Sequence, residues 1–397
     1  MPNYKHPGVY VEEIPGGSKP ILGVATSVTT FVGKATKGPV GKAELVHSFD
    51  DYIRIYGDIA SESDTMGLSV QAFFHNGGKS AYICRLAGEG SKPPSVSDFT
   101  AFYDNILRKI RDVSIIVVPG EYWAQNGSDN PIISATLAHC EMMKNRMAII
   151  DPPPDLELDQ AITVKGLALP SSSYSVLYYP WVKITNPFYN AETNFNADRT
   201  LAIAPSSFAA GIWSRFDETR GVWKAPAGIE AGLIGAVGLK YKIGDGEQDQ
   251  YNSLGVNCIR NFPGVGYVFW GARTLATMAD TEWRYVPVRR TAIMIEQSIY
   301  EGTQWVVFEP NNHNLWSALR SNISSFMEGL FREGAFQGTK SSHAYFVRCG
   351  LGDTMTQGDI DAGQVIVIVG FAPLKPAEFV ILRIRQKVKR NDSGCEI

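Results

Sequence analysis

The stretch VSIIVVPG (residues 113–120) is a short apolar run that ends at a turn signal, which is typical of a buried β-strand. Similar apolar runs recur on both sides of it and alternate with amphipathic segments at helical spacing. Parallel strands need such crossover helices, so the alternation predicts an α/β unit with a mostly parallel sheet covered on both faces. The predicted strands are 27–32, 81–86, 113–118, 147–150 and 174–179, and the predicted helices are 65–75, 97–110, 134–146 and 157–167.

From residue 186 onwards the residue composition and the hydrophobic pattern of the chain change. Residues 186–257 are rich in Gly and Pro and are predicted as long surface loops with one or two short helices. From residue 258 to residue 378 the pattern predicts an α+β unit built around one long amphipathic helix at 314–332. The remaining predicted elements of this unit are strands at 266–271, 286–290, 305–308, 344–349 and 365–369 and a helix at 292–300.

Bulk composition excludes several classes of protein. Of the 397 residues, 44% are hydrophobic and 19% are charged, which is an ordinary globular balance. The net charge of −3 does not favour a nucleic-acid partner. Five scattered cysteines without a C-x-x-C pair argue against a disulfide framework and against a zinc site. We also expect no secretory signal and no membrane insertion, because no apolar run is long enough.

Motifs that carry chemistry are missing from the sequence. We find no phosphate-binding loop, no dinucleotide fingerprint, no H-E-x-x-H and no G-x-S-x-G. Asp151 follows a predicted strand, where catalytic acids often lie, but it also begins a proline-rich turn. Asp359 and Asp361 form a faint calcium-loop pattern that lacks the third acidic ligand, the central glycine and the closing glutamate. We therefore predict no catalytic residue, no cofactor and no metal.

Both ends of the chain have strand patterns without an obvious partner. Residues 9–14 lie between Pro7-Gly8 and Pro15-Gly16-Gly17, and residues 379–388 alternate apolar with basic side chains. The first strand could form a hairpin with residues 26–33 through a loop of about ten residues, which is longer than usual. The alternative is strand addition to a neighbouring subunit, which gives rings or helices when it runs head to tail. Opposite charges on the two strands favour the alternative. The candidate arm residues are Val9, Val11, Glu12, Glu13, Ile14, Leu382, Arg383, Ile384, Arg385 and Lys387.

Two further groups of basic residues have open interpretations. Arg289 and Arg290 lie in the predicted strand 286–290 and are either solvated or available for docking to acidic protein surfaces. The helix at 314–332 is predicted to bury its apolar stripe and to present a polar face with Arg320 and Arg332.

Several segments resemble one known family. Residues 6–13, HPGVYVEE, are similar to the start of contractile tail sheath proteins of phages and related injection systems. The resemblance is stronger in the second half of the chain, whereas the middle matches only in pattern. The segments that resemble the family there are WRYVPVRR (283–290), GTQWVVFEP (302–310), NN (311–312), LW (315–316), GDIDAG (358–363) and GFAPLKPAEFV (370–380).

This resemblance implies a structural subunit that is not an enzyme. Family members stack as hexameric rings around an inner tail tube and work with baseplate and tail terminator proteins. Contraction from a metastable extended state drives the tube through a target envelope, as in genome ejection. Such a sheath belongs to a virion tail or an injection device and is assembled in the bacterial cytoplasm.

The resemblance also assigns roles to parts of this chain. It implies an N-terminal arm at 1–22, an outer α/β domain at 23–257, an inner α+β domain at 258–378 and a C-terminal arm at 379–397, with both arms exchanged between subunits. The short loop 87–96 implies a compact sheath without extra outer domains. The hinge candidates are Pro15, Gly16, Gly17, Pro373 and Pro376, and the tube-contact candidates are Arg320 and Arg332.

Two rival functions remain open from the sequence. An α/β enzyme would have a ligand pocket at the carboxyl ends of its parallel strands. A non-contractile tail tube or baseplate protein would form rings that do not shorten.

Overall fold

The computed structural model describes residues 20–88, 92–123, 130–156, 168–193, 198–277 and 279–378. Both predicted arm strands, with all ten candidate arm residues, lie outside the described residues. So do the hinge candidates Pro15, Gly16 and Gly17 and the helix predicted at 157–167.

A large mixed sheet forms the first part of the molecule, as the apolar runs predicted. Its strands are β1 Thr29–Gly33, β2 Ala43–Val46, β3 Ala81–Arg85, β4 Ile115–Val117, β5 Met147–Ile150, β6 Ser175–Tyr179, β10 Val256–Phe262 and β11 Gly266–Phe269. The spatial order is β11-β10-β6-β5-β4-β1-β3-β2. The six central strands are parallel, and one antiparallel strand closes each edge.

Helices cover both faces of this sheet and bury alternate strand residues. Phe31, Ile115 and Ile149 face one core, whereas their chain neighbours Val32 and Ile116 face the other. This alternation is what a pleated strand requires when both of its faces are buried. The helices on the first face are α1 Phe49–Tyr56, α2 Thr65–His75 and α5 Pro205–Arg220, and those on the second are α3 Val96–Asn105, α4 Pro131–Met143 and α6 Asp245–Ser253.

The chain packs closely at the switch point of the sheet, which is where an α/β enzyme would bind its ligand. Strands β3 and β4 flank β1 on opposite sides, so the sheet has its topological switch point beside β1. A Cβ atom at Gly33, the last residue of β1, would lie 3.3 Å from the Pro119 carbonyl oxygen and 3.5 Å from Met66 Cε. The end of β1 is therefore in close contact with the segment after β4 and with α2.

Residues 186–257, predicted as long surface loops with one or two short helices, contain a 16-residue helix, α5, whose first twelve residues are buried except for Arg215. Its small residues made the segment look irregular, but they allow close packing against α2. A Cβ atom at Gly211 would lie 2.5 Å from the Phe73 carbonyl oxygen. The same stretch supplies two strands of a three-stranded antiparallel sheet, β8 Thr200–Ile203 and β9 Ala236–Leu239, on either side of β7 Val182–Thr185.

The eight-stranded sheet continues past the predicted domain boundary at 257/258. Strand β10 begins at Val256 and pairs in parallel with β6, and β11 extends the sheet to Phe269. A boundary after Phe269 would leave this sheet intact.

Two strand predictions in the second part were wrong. Residues 286–290 form the first turns of α7 Val286–Gly302, because Pro287 fits the first helical turn, where no N–H donor is needed. Residues 304–306 form a short 3₁₀ turn that follows α7, and Phe308 has a positive φ of 74°, which a strand does not allow. The apolar, β-branched composition of both stretches had suggested strands.

The C-terminal part packs around the predicted long helix, α8 His313–Arg332, which begins at the cap residue Asn312. Its apolar stripe lies in a third core, together with the end of α7 and a two-stranded sheet. The other elements here are α9 Ser341–Ala344, β12 Tyr345–Arg348, α10 Gln357–Asp361 and β13 Ile368–Phe371.

Candidate intersubunit surface

The two-stranded sheet of β12 and β13 has both outer edges unpaired among the described residues. Ala372 N–H donates to the Ala344 carbonyl oxygen at 2.8 Å. Ala344 and Ala372 are therefore a hydrogen-bonded position, which determines the positions along β12 and β13 whose backbone groups bond to each other. Because bonded and non-bonded positions alternate in antiparallel strands, Val347 and Val369 direct their backbone N–H and C=O groups outward. Each outer edge is therefore a template for one more strand.

The two faces of this small sheet differ. Tyr345 and Val347 pack against the third core, and the Tyr345 hydroxyl lies 3.0 Å from Glu328 of α8. On the opposite face Phe346 and Ile368 are exposed, by 51% and 43%. The Phe346 ring lies over Gly370, where a Cβ atom would come within 2.3 Å of it. The open edges therefore belong to a sheet that also carries an exposed apolar face.

The tube-contact candidates lie on α8 in different environments. Arg320 is half-buried, and its guanidinium donates to the Cys349 carbonyl oxygen and to Ser317 Oγ. It therefore ties the end of β12 to α8 and is not a freely presented charge. Arg332 is exposed and forms only a surface ion pair with Glu328 at 3.1 Å. Of the two, Arg332 is the one whose charge faces solvent.

The hinge candidates Pro373 and Pro376 are both half-buried. Pro373 forms an isolated bridge with Phe336, and Gln337 N–H donates to the Ala372 carbonyl oxygen at 2.9 Å. Residues 374–378 then line a cleft of about 910 Å³, whose other wall includes Trp223 and Trp270. The segment that leads to the C-terminal arm is thus held against the body of the protein.

Arg289 and Arg290 are buried in α7, contrary to the prediction of solvated or docking residues on a strand. Arg289 Nη2 donates to Ser173 Oγ at 2.7 Å. Arg290 forms an ion pair with Asp217 of α5 at 2.5 Å, with side-chain exposures of only 5% and 8%. Neither arginine is available to an outside partner.

Sequence reasoning did not identify the residues that hold the two segments leading to the arms. Ile21 is buried although it was assigned to the N-terminal arm, and Thr26 hydrogen-bonds to Asp217 and Arg290. At the other end Glu378 is bound by Arg273 and Tyr285. Two signals were present in the sequence, since Tyr285 and Glu378 both lie in segments that resemble the sheath family.

Asp151 has a structural role at the start of α5. It is fully buried and accepts hydrogen bonds from the Ser206 backbone N–H at 2.9 Å and from Ser206 Oγ. Burial raises the pKa of Asp151 to about 7, although the two hydrogen bonds act in the opposite direction.

The carboxylates of the calcium-like pattern also take part in local hydrogen bonds. Asp359 caps α10 through Thr356, and Asp361 accepts from Gln357. No group of three metal-binding side chains comes together among the described residues. None of the described helices combines the length and the apolar character needed to cross a bilayer.

Comparison with known proteins covers most of the chain. Residues 94–275 match the phage tail sheath protein central domain, and residues 278–387 match the phage tail sheath C-terminal domain. The chain is 30% identical over 240 residues to the tail sheath protein of Burkholderia phage BcepMu, a match that covers 57% of this chain and 47% of that protein. The match to the tail sheath protein of Enterobacteria phage T4 is 24% identical and covers 44% of this chain and 25% of that protein. The chain thus spans half or less of these phage relatives.

Solved sheath structures match over nearly the whole chain. The sheath of the extracellular contractile injection system PVC, in its contracted state, is 33% identical with a TM-score of 0.79 and covers 98% of this chain and 99% of that one. The helical sheath of the anti-feeding prophage, also contracted, is 28% identical with a TM-score of 0.77 and covers 97% and 100%. With the two family models and full-length structural likeness in agreement, the chain belongs to the contractile tail sheath protein family.

Proposed function

We propose that this protein is the repeating subunit of a contractile sheath, stacked as hexameric rings around an inner tube. The rings pass from a metastable extended state to a shorter contracted state and so drive the tube through a target envelope. The observation that carries the proposal is the full-length likeness to contracted injection-system sheaths.

The links between subunits are the two arms, 1–22 and 379–397. Each open edge of the β12–β13 sheet accepts one strand from a neighbour, so that two donated strands convert it into a four-stranded sheet. Glu12 and Glu13 of one arm and Arg383 and Arg385 of the other then lie on the two outer strands of this sheet, with β12 and β13 between them. Backbone hydrogen bonds of this kind can persist while the segments that lead to them bend, which is the role proposed for Pro15-Gly16-Gly17.

In this proposal the outer domain contains the whole large sheet and extends to Phe269, and the rest of the chain up to residue 378 forms the inner domain. The polar face of α8 points at the tube, with Arg332 opposite acidic tube groups. A baseplate and a tail terminator cap the two ends of the sheath, which is assembled in the bacterial cytoplasm.

Electron microscopy of the purified full chain tests the proposal. We expect wide helical tubes for the wild type and folded, unassembled subunits after deletion of residues 1–14. Monodisperse wild-type monomers would contradict the sheath function, and intact tubes after the deletion would contradict the arm links.

A further inference from the structure

An extended strap, residues 21–26, runs along α7 just before the chain enters β1. Its contacts move back along α7 as the chain advances, from Gly302 to Ser298 to Arg290, so the strap runs antiparallel to the helix. Two of the contacts are hydrogen bonds, from Val24 N–H to Ser298 Oγ at 3.0 Å and from Arg290 to the Thr26 carbonyl oxygen at 2.9 Å. The paired positions are Ile21 with Gly302, Val24 with Ser298, and Thr26 with Arg290.

A buried ion pair holds the strap at Thr26. Arg290 binds both carboxylate oxygens of Asp217, through Nη1 at 2.9 Å and Nη2 at 2.5 Å. Thr26 Oγ1 donates to the same carboxylate, and the Thr26 carbonyl oxygen accepts from the same guanidinium. The strap is therefore joined to α5 and α7 at once, in a site where both charged side chains are almost fully buried.

A second ion pair of the same kind holds the other end of the described chain. Arg273 donates to both carboxylate oxygens of Glu378, and the Tyr285 hydroxyl lies 3.1 Å from one of them. The Arg273 backbone N–H donates to Asn257 Oδ1, and Asn257 Nδ2 donates to the Leu177 carbonyl oxygen. Glu378 is thus connected, through Arg273 and Asn257, to strand β6 of the large sheet.

The geometry points to these two ion pairs as root clamps, which set the places from which the N-terminal and C-terminal arms leave the subunit. Asp217, Arg290 and Thr26 form the N-terminal clamp, and Arg273, Tyr285 and Glu378 form the C-terminal clamp. This inference rests on the proposed function, because the clamps position arms that link subunits. Asp217, Arg273, Tyr285 and Glu378 are thereby assigned as positioning residues for strand addition.

Chain length explains why a clamp matters. The predicted arm strand begins at residue 379, directly after Glu378, so the clamp lies at the base of the arm. Release of residues 373–378 would add six residues of free chain, or about 20 Å of reach, before the arm strand. A slip of one residue on the acceptor edge would turn every arm side chain to the wrong face. A fixed root restricts the arm to one register on its neighbour.

Two conservative substitutions test the clamps in the full chain. Glu378→Gln keeps the side-chain shape but removes the charge, and Thr26→Val removes one hydrogen bond and leaves the Arg290–Asp217 pair intact. Asp353→Asn is the matched control, since Asp353 pairs with Arg348 at the surface of the same C-terminal part. Amide hydrogen exchange of the unassembled subunit and the fraction of protein that sediments as tubes are the two measurements.

We expect Glu378→Gln to speed exchange at residues 372–378 at least tenfold and to lower the tube fraction at least fivefold, with the rest of the subunit unchanged. Thr26→Val should speed exchange at residues 21–28 only, and Asp353→Asn should change neither measurement. Wild-type exchange and wild-type tube yield in both clamp variants would overturn the inference. If deletion of residues 1–14 abolishes tubes while both clamp variants assemble normally, the clamps fail and the proposed function stands.

Discussion

The guanidinium of Arg289 lies over the ring of Trp283, 3.6 Å from its centre, and Tyr174 covers it from another direction at 4.5 Å. Arg289 and Trp283 are only six residues apart, in the segment WRYVPVRR. Burial lowers the pKa of Arg289, but the aromatic rings compensate part of the lost hydration of its charge. Arg289 and Trp283 of this segment therefore anchor α7 next to Tyr174, which directly precedes β6 of the large sheet.

Replacement of Arg289 by Lys should destabilise the subunit by about 1–2 kcal/mol, because an ammonium group cannot stack in the same planar manner. The free energy of unfolding in urea measures the effect. Arg332→Lys is the control and should change it by less than about 0.5 kcal/mol, since that side chain is exposed. Equal values for the two variants would show that the stacking contributes little.

The Arg289 environment also shows what the sequence could and could not predict. Alternating apolar runs correctly predicted a mostly parallel sheet covered by helices, and the bounds of α2 were predicted to the residue, because periodicity reports burial directly. The same reasoning predicted a strand at 286–290 with Arg289 and Arg290 at its surface, either solvated or available for docking to acidic protein surfaces. The partners of Arg290, which are Asp217 and Trp213, lie more than 70 residues away, and no local pattern reveals a partner at that distance.

The candidate intersubunit surface could likewise be predicted only in part. Alternation predicted strands near β12 and β13, but their open edges depend on which strands are absent from the sheet, a tertiary property. Arg320 and Arg332 were grouped because both were predicted on the polar face of one helix. The fold separates them, because Cys349 and Ser317 lie within reach of Arg320 only.

Gly211→Ala should destabilise the subunit by about 1–3 kcal/mol, because the new methyl group would overlap backbone and side-chain atoms of α2 and its cap. Gly329→Ala in α8 is the matched control. A Cβ atom at Gly329 meets nothing within 4 Å, so that variant should gain about 0.5–1 kcal/mol from helix propensity. Thermal unfolding of both variants is the measurement, and a stabilised Gly211→Ala would contradict the close packing of α5 on α2.

Two buried titratable groups should give opposite pH dependences. Burial raises the pKa of Asp151 to about 7, so its contribution to stability is largest below pH 4 and is lost as the pH rises through 7. Burial and nearby Arg146 lower the pKa of His139 to about 4, so its contribution is complete above pH 6.5 and is lost as the pH falls towards 4. In the wild type the two effects oppose each other.

Urea unfolding of Asp151→Asn and His139→Gln between pH 4.5 and pH 7.5 separates these contributions. The stability of the wild type relative to Asp151→Asn should fall over this interval, on the order of 3 kcal/mol in total. Its stability relative to His139→Gln should rise over the same interval. If either difference is flat with pH, the corresponding group does not change its ionisation on folding in this range.

The proposed contact with the tube makes Arg332→Glu the informative charge reversal. This variant places two acidic residues at i and i+4, which costs the isolated helix only about 0.3–0.5 kcal/mol, so the fold should survive. We expect co-sedimentation with the inner tube to fall several-fold. Arg54→Glu, which disrupts a similar exposed pair with Asp51 in α1, is the control and should sediment normally. Equal binding by both variants would remove Arg332 from the proposed interface.

Single proline substitutions at the open strand edges should block assembly without unfolding the subunit. The backbone N–H groups of Val347 and Val369 point away from the β12–β13 ladder, so a proline at either position removes a donor that only an added strand would use. Val369→Pro should therefore lose tubes, whereas Val369→Ala, which trims the same side chain but keeps the N–H group, should retain them. Gly370→Pro should instead disrupt the ladder itself and lower the unfolding temperature, because that N–H group faces β12. Normal tubes from both Val347→Pro and Val369→Pro would exclude these edges as the acceptors of the donated arms.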